Sequence, residues 1–411
     1  MIATRGAGRA AAADVADCAD RADSASIPLT LYLHLPWCVR KCPYCDFNSH
    51  RAGDDPPRDR YVDALIADLE AEAVRAAGRR LETVFIGGGT PSLFSGAQIG
   101  RLLDAVAARY TLAADAEVTL EANPGTVERG SFAAYRAAGV NRVSLGAQSF
   151  DDASLAALGR IHSAAETRAA VDEARRAGID NLNLDVMFAL PQQSVAGALA
   201  DVSAALALAP AHISHYQLTL EPNTRFHHSP PPLPDPDTAW EMQERCHEAL
   251  EAAGYRRYEV SAFARPGREC RHNLNYWGFG DYLAAGAGAH GKITDADGTV
   301  RRYAKPASPR AWMEAALAGR TGEAAAAVAA EDLAFEYMLN ALRLTRGFAL
   351  ADFAARTGLD REALEPGLAA ARQRGLLEAV DAGGLRPSAL GMRFLNDLQA
   401  LFLPSSGAAV E

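Results

Sequence analysis

The sequence predicts an α/β protein: a partial (β/α)6 barrel of the TIM type, followed by a smaller C-terminal winged-helix-like α+β domain. Three observations predict it. Between residue 29 and about 220, six short apolar or β-branched runs alternate with longer segments of helical spacing. Polar residues and glycines gather where those runs end, and from residue 331 the text changes to closely spaced helices. Length agrees, because 411 residues exceed the roughly 250 to 300 at which a single core tends to divide.

The runs are LYLHLP (31–36), LETVFIGGG (81–89), EVTLEANP (117–124), RVSLGAQSF (142–150), NLNLDVMFALP (181–191) and HISHYQLTLEP (212–222). Helical segments such as RYVDALIADLEAEAVRAAG (60–78) and AAETRAAVDEARRAG (164–178) separate them, often closed by glycine or proline. Strands joined by helices run parallel. Glu121, Gln148 and Asp185, with Gly87, Gly88 and Gly89, fall at the C-terminal ends of several different runs. Parallel barrels build sites from that rim, whereas open sheets concentrate ligands at one switch point, so the pattern favours a barrel. Six visible units make it a partial one.

Beyond the sixth run, the proline-rich HHSPPPLPDPD (227–237) reads as an extended loop. A helix (238–254), a strand YRRYEVSAF (255–263) and a glycine- and aromatic-rich segment (270–291) follow. The expected organisation is a disordered tail over 1–27, the barrel over 28–265, a barrel-closing segment and connector over 266–330, and the winged-helix-like domain over 331–411.

Composition excludes several classes. No apolar run approaches the ~20 residues needed to span a bilayer, which leaves only peripheral membrane contact open. The alanine-rich N-terminus lacks the apolar core of a signal peptide, so the expected location is the cytoplasm. Net charge is -10, and residues 331–411 hold 8 Arg and no Lys against 11 Asp and Glu. Phosphate binding needs the opposite excess, which argues against nucleic acid as a partner and against a metal-bearing regulator that reads DNA through the winged helix.

Three of the six cysteines, Cys38, Cys42 and Cys45, lie in a loop directly after the first run, spaced Cys-x-x-x-Cys-x-x-Cys. Structural zinc takes four protein ligands, usually as two pairs, and no second pair follows. A four-iron four-sulfur (4Fe-4S) cluster held by three thiolates keeps one iron open.

That spacing, with Tyr44 before the last cysteine, resembles the signature of the radical S-adenosylmethionine (SAM) enzymes. The resemblance implies a barrel of the radical SAM kind, in which SAM chelates the open iron and is reductively cleaved to a 5′-deoxyadenosyl radical. Gly88, Gly89 and Thr90 in GGGTP match the segment that meets the methionyl end of SAM, and Tyr32, Glu121, Gln148, Arg160 and Asp185 match further SAM contacts. Glycines suit that role by letting backbone N–H groups approach a ligand. From Leu31 to about Phe348 the text is similar to the oxygen-independent coproporphyrinogen III oxidase group, and within it to the HemW haem chaperones. LHLPWCVRKCPYCDFNSH, FIGGGTPSL, EANP, GAQSF, LGRIH and HNLNYWGFGDY carry this similarity.

Two departures count against coproporphyrinogen oxidation, the alternative function. The oxidase has a further cysteine where this chain has Phe47, and it carries a longer N-terminal extension over its active site. HNLNYW resembles the proposed haem-binding segment of the chaperones. This implies haem as a ligand, a haem-requiring acceptor protein as a partner, and His272, Asn273, Tyr276 and Trp277 as haem residues, with Cys270 as a possible thiolate nearby. The residues themselves equally suit a plug that seals the barrel. A third departure is Ala189 in ALPQQ, where relatives commonly have glycine, so a locally different backbone is expected there.

Overall fold

The computed structural model describes residues 27–125, 131–321, 324–380 and 383–404, so the tail expected over 1–27 lies outside it except for Ile27. The six runs form six parallel strands: β1 (Leu29–Leu35), β2 (Leu81–Gly88), β3 (Leu112–Ala122), β4 (Arg142–Gln148), β5 (Asn181–Phe188) and β6 (His212–Gln217). They pair in chain order, as successive right-handed crossovers require. Helices begin where the sequence supplies a cap. Ser95 and Ser163 make capping boxes with Gln98 and Glu166, and Asp235 caps Pro236–Ala252, whose first residue is proline.

β1 shows what sets the layers. Leu29, Leu31, Leu33 and Leu35 are buried in one apolar core with Tyr61 and Leu65 of the helix Arg58–Ala76. The alternate residues, Thr30, Tyr32 and His34, point to the opposite face, into the barrel. The barrel interior is largely polar, with Glu117, Thr119, Arg142, Ser144, Asn183 and His212 all buried. Hydrogen bonds make this possible: His212 Nδ1 meets Asn183 Oδ1 at 2.6 Å, and Asn183 Nδ2 donates to Ser144 Oγ at 2.7 Å.

The sheet extends further than the sequence suggests. YRRYEVSAF, expected as one strand, splits into Arg256–Arg257 and β7 (Ala262–Ala264), which lies antiparallel to β6. Arg257 donates to the carbonyls of Glu259 and Val260 and holds the turn between the two pieces. On the far side β8 (Asp281–Ala285) pairs parallel with β1. Two antiparallel strands, β9 (His290–Thr294) and β10 (Val300–Ala304), and the pair Ala326–Ala327 continue from it. β8, β9, β10 and the pair Ala326–Ala327 therefore build one flank of a 12-stranded sheet, and among the described residues its strand order does not close, as in a partial barrel.

The N-terminal ends of the strands form a lower mouth, which the helix Arg271–Trp277 plugs. Its first turn is anchored by Glu117 of β3, whose carboxylate accepts the backbone N–H groups of Arg271 at 3.3 Å and His272 at 3.2 Å. Asn275 Nδ2 donates to Thr30 Oγ1 and to the Asp281 carbonyl at 3.1 and 2.8 Å.

The C-terminal domain docks under this plug. Phe279 joins its core against Tyr337, Arg343 lies 4.2 Å over the Trp277 ring, and Arg343 pairs with Glu259 at 3.0 Å. The domain has the expected winged-helix outline. Helices Ala330–Ala341, Leu350–Thr357 and Glu365–Gln373 pack on an antiparallel sheet of Phe348–Ala349, Gly384–Pro387 and Leu377–Val380. Among the described residues no helix is long and apolar enough to cross a membrane.

A buried charge cluster ties the helix Arg58–Ala76 to the added flank. Lys305 Nζ lies 2.8 Å from both Asp68 and Glu72 and donates to the Thr321 carbonyl at 3.0 Å. Trp312 Nε1 donates to Asp68 at 3.1 Å, and Tyr303 Oη donates to Glu72 at 2.5 Å. Removing the cation leaves the buried Asp68 carboxylate without its ion-pair partner and Glu72 with Arg75 alone, at 3.4 Å, so Lys305→Met should lower the unfolding free energy by about 3 kcal/mol, read as a lower urea midpoint at unchanged slope.

Candidate functional site

The C-terminal ends of the strands form the upper mouth, where a cavity of about 360 Å³ opens. Its wall includes Cys38, Cys42, Cys45, Gly88, Gly89, Thr90, Glu121, Gln148, Arg160 and Asp185. Ten of the eleven residues expected around the cluster and SAM therefore meet in one place. Tyr32 is the exception: its hydroxyl lies 3.0 Å from His34 Nδ1, its ring packs against Phe85, and it does not line the cavity.

The cysteine loop is shaped by its backbone. Trp37–Cys38 pairs with His50–Arg51, the Cys45 N–H donates to the Cys42 carbonyl at 3.2 Å, and Lys41 Nζ donates to the carbonyls of Phe47 and Ser49. The three thiols are half-buried. Burial pushes the Cys38 and Cys45 thiols up. Among the described residues no three His, Cys, Asp or Glu groups converge on one point as a single metal ion would require. A cluster in which each thiolate takes a different iron makes no such demand, and three thiols spaced along one wall fit it.

Two features bind this loop to the rim of β2. The Gly89 N–H donates to the Leu35 carbonyl at 2.7 Å, and the Thr90 N–H donates to the Trp37 carbonyl at 2.8 Å. A side chain at Gly89 would sit 2.7 Å from the Pro36 and Trp37 backbone, and one at Gly88 would sit 2.7 Å from the His34 ring. Gly88 also has a φ of +118°, a conformation other residues rarely adopt. The glycine run is thus fixed by close approach as well as by any ligand.

The acceptors lie opposite. Glu121 Oε2 accepts the Gly88 N–H at 3.0 Å, while Asp185 accepts from Asn183 Nδ2 at 2.8 Å and from Ser144 Oγ at 3.2 Å. Burial, reinforced by the charge of Asp185, lifts the Glu121 carboxyl to about 7, and burial also raises Asp185. Two carboxylates aimed into one cavity suit hydroxyl or ammonium donors on a ligand. Arg160 donates to the Gly146 carbonyl at 2.8 Å and to Cys42 Sγ at 3.7 Å, placing a fixed cation between the thiols and the rim.

Sequence reasoning missed Tyr216, whose hydroxyl donates to Gln148 Oε1 at 2.8 Å, and Met187 and Asn123 on the same wall. Tyr216 closes the HISHY run, and its place at a strand's C-terminal end was the available signal.

The expected haem residues stand elsewhere. His272, Asn273, Tyr276 and Trp277 belong to the plug at the lower mouth, away from the cysteines. His272 is 3% exposed, its Nδ1 lies 2.7 Å from Thr83 Oγ1, and its ring packs on Phe85 inside the barrel. Burial, with the nearby Arg142 guanidinium, lowers its pKa to about 3, which keeps it neutral. Cys270 is fully buried against Glu117, and burial raises its thiol to about 12. His272 helps to seal the barrel floor from within, while Asn273, Tyr276 and Trp277 are half-buried.

Ala189 has a φ of +56°, in the left-handed region that favours glycine, so this turn is strained in residue type.

Residues 32–200 match the radical SAM superfamily, and residues 328–394 match the HemN C-terminal domain. The chain is 49% identical to the Heme chaperone HemW of Escherichia coli (strain K12) over 92% of this chain and 98% of that protein. It is 40% identical to the Heme chaperone HemW of Mycobacterium tuberculosis (strain ATCC 25618 / H37Rv) over 83% and 87% of the two chains. Among solved structures it resembles coproporphyrinogen III oxidase (HemN) from Escherichia coli, with a TM-score of 0.77 at 22% identity over 93% of this chain and 91% of that one, a likeness of fold.

Two outcomes follow from the site. Glu121 holds its proton to about pH 7 when folded, against 4.5 as an ordinary glutamate, so the folded state binds the extra proton between those values. The stability of the ligand-free protein should fall as pH rises from about 4.5 to about 7, and Glu121→Gln should flatten that slope in urea titrations repeated across pH. Ala189→Gly should raise the unfolding free energy by about 1 kcal/mol by relieving the left-handed backbone, measured the same way.

Proposed function

This chain belongs to the HemW family of the radical SAM superfamily, and from that membership we propose that it is a haem chaperone that carries a 4Fe-4S cluster and SAM and delivers haem to an acceptor protein. The observation that carries the reading is identity of 40 to 49% to proteins named as haem chaperones, across 87 to 98% of their length.

In this reading Cys38, Cys42 and Cys45 hold the cluster. Gly88, Gly89 and Thr90 present backbone to the methionyl end of SAM, and Arg160 offers its cation to the carboxylate. Glu121 and Asp185 accept from amino or ribose hydroxyl groups, with Gln148 oriented by Tyr216. Tyr32 acts at one remove, by orienting the His34 ring against Gly88. When bound, the cluster and SAM together supply one-electron reductive chemistry.

Phe47 supports carriage over porphyrinogen oxidation. It is 60% exposed at the edge of the cavity, an apolar ring where the oxidase group has a further cysteine. The plug helix takes a positional part: it closes the barrel and offers its outer side to the C-terminal domain.

An anaerobic preparation tests this. The reconstituted chain should show cluster absorbance that Cys42→Ser abolishes, should bind haem, and should leave coproporphyrinogen III unchanged. Turnover to protoporphyrinogen would replace the chaperone reading with the oxidase one.

A further inference from the structure

A second cavity, larger than the one that holds the cysteines, opens in the described chain. It lies at the other end of the barrel, between the plugged lower mouth and the C-terminal domain, with a volume of about 900 Å³. Pockets for small ligands and cofactors run from roughly 300 to 1,000 Å³. The upper cavity, at about 360 Å³, already has a cluster and SAM to accommodate.

The lining of this lower cleft is chemically uneven. Five arginines, Arg79, Arg80, Arg271, Arg346 and Arg356, face it with two acids, Glu82 and Asp352. That is an excess of three positive charges in a chain whose net charge is -10. Four of the arginines have protein partners: Arg79 pairs with Asp281, Arg80 and Arg271 share Glu82, and Arg356 reaches the Gly278 carbonyl and Asp352. Arg346 is exposed on the domain side, opposite Arg80, which is 60% exposed on the barrel side. The cleft also holds apolar side chains, Leu274 and Val380 half-buried and Ile27, Leu344 and Phe348 buried in its floor. An apolar slot with guanidinium groups beside it is complementary to an apolar molecule bearing carboxylates.

We propose that this interdomain cleft is where the chain carries its tetrapyrrole, gripping the propionates through Arg346 and Arg80 and the macrocycle through the apolar slot, without a protein ligand to the iron. The proposal rests on the haem-chaperone reading and adds the location and the mode of binding. Among the described residues no histidine, cysteine or methionine lines the cleft, and the one phenol there, Tyr337, is 1% exposed. His272 lies behind Thr83, facing the barrel interior, and is not part of the lining. A grip on the rim and the carboxylates leaves both faces of the iron for an acceptor's own ligand, which suits a molecule that must be released.

Position adds a second consequence. Thr83 borders the cleft and Gly88 borders the upper cavity, at the two ends of one strand. Five residue steps along the strand separate the two sites by about 17 Å. A tetrapyrrole in the cleft is therefore out of reach of hydrogen abstraction at the cluster mouth.

The test uses the full chain with its cluster reconstituted anaerobically, titrated with haem, zinc protoporphyrin IX and protoporphyrin IX dimethyl ester, with binding followed by absorbance and fluorescence. Haem and zinc protoporphyrin should bind with similar affinity, and the dimethyl ester, which has lost both carboxylates, about tenfold or more weakly. Arg346→Glu, and the double variant with Arg80→Glu, should weaken haem binding by about tenfold or more while leaving cluster absorbance and SAM binding intact. His272→Ala, if it folds, should retain haem affinity. A wild-type chain that binds no porphyrin overturns the haem-chaperone reading itself. Haem binding that is indifferent to esterification and to both arginine variants overturns the cleft alone, as does haem binding that zinc protoporphyrin cannot match and that disappears with His272.

Discussion

The polarity of the sheet governs everything else in this molecule. Six consecutive strands run parallel, and β8 joins them in the same direction beside β1. All their carboxyl ends therefore open at one mouth, and all their amino ends at the other. Residues far apart in sequence, such as Cys38, Glu121 and Asp185, share a cavity only because each follows its strand to the same rim. The cysteine loop is then locked to that rim by the Gly89 and Thr90 amides, which leave no room for a side chain at Gly88 or Gly89.

An interior this polar must be satisfied from within. Hydrogen-bonded side chains fill much of the lower half of the barrel, and the plug helix is tied into them: Glu117 anchors its first turn and Asn275 ties it to β1 and β8. The same helix gives the C-terminal domain its seat, since Trp277 meets Arg343 and Phe279 enters the domain's core. The plug helix thus contributes to two boundaries at once: His272 closes the floor of the barrel from within, while Arg271, Leu274 and Asn275 line the interdomain cleft. This dual use gives HNLNYW a physical reason to be distinctive that requires no ligand on the histidine.

Much of this was legible in the sequence, for identifiable reasons. The six parallel strands were visible because β-branched and apolar runs broken by glycine and proline encode strand and helix locally. The cluster site was visible because thiol spacing within one loop survives without knowledge of the fold. β8 was not visible, because DYLAAGAGAHG contains few residues with strand preference. Its alanines are fully buried, and Gly286 has φ +110° and lies against the His34 backbone, where a side chain would approach to 2.5 Å. Close packing on β1 selects small residues there, which hides the strand. The helix Arg271–Trp277 was hidden for a different reason: Glu117, 154 residues earlier in the chain, satisfies its first N–H groups, and no local sequence signal can report that.

The division of labour between the two mouths bears on what SAM could do in such a protein. In an enzyme that oxidises its tetrapyrrole, substrate and cluster must share one cavity, and here the cavity at the cysteines is lined by charged and hydrogen-bonding groups. A macrocycle held under the barrel floor instead communicates with the cluster only through the strands and the plug. The route is short and rigid: the His34 ring touches Gly88 above, Tyr32 links His34 to Phe85, and Phe85 packs on His272, which is bonded to Thr83 at the edge of the cleft. Such a contact chain can transmit occupancy of one mouth to the other only if some element along it has two arrangements. Among the described residues the Nε2 of His272 is the buried polar atom on that path without a hydrogen-bond partner, so a rearrangement of that ring has one hydrogen bond to break, the one to Thr83, and one to gain.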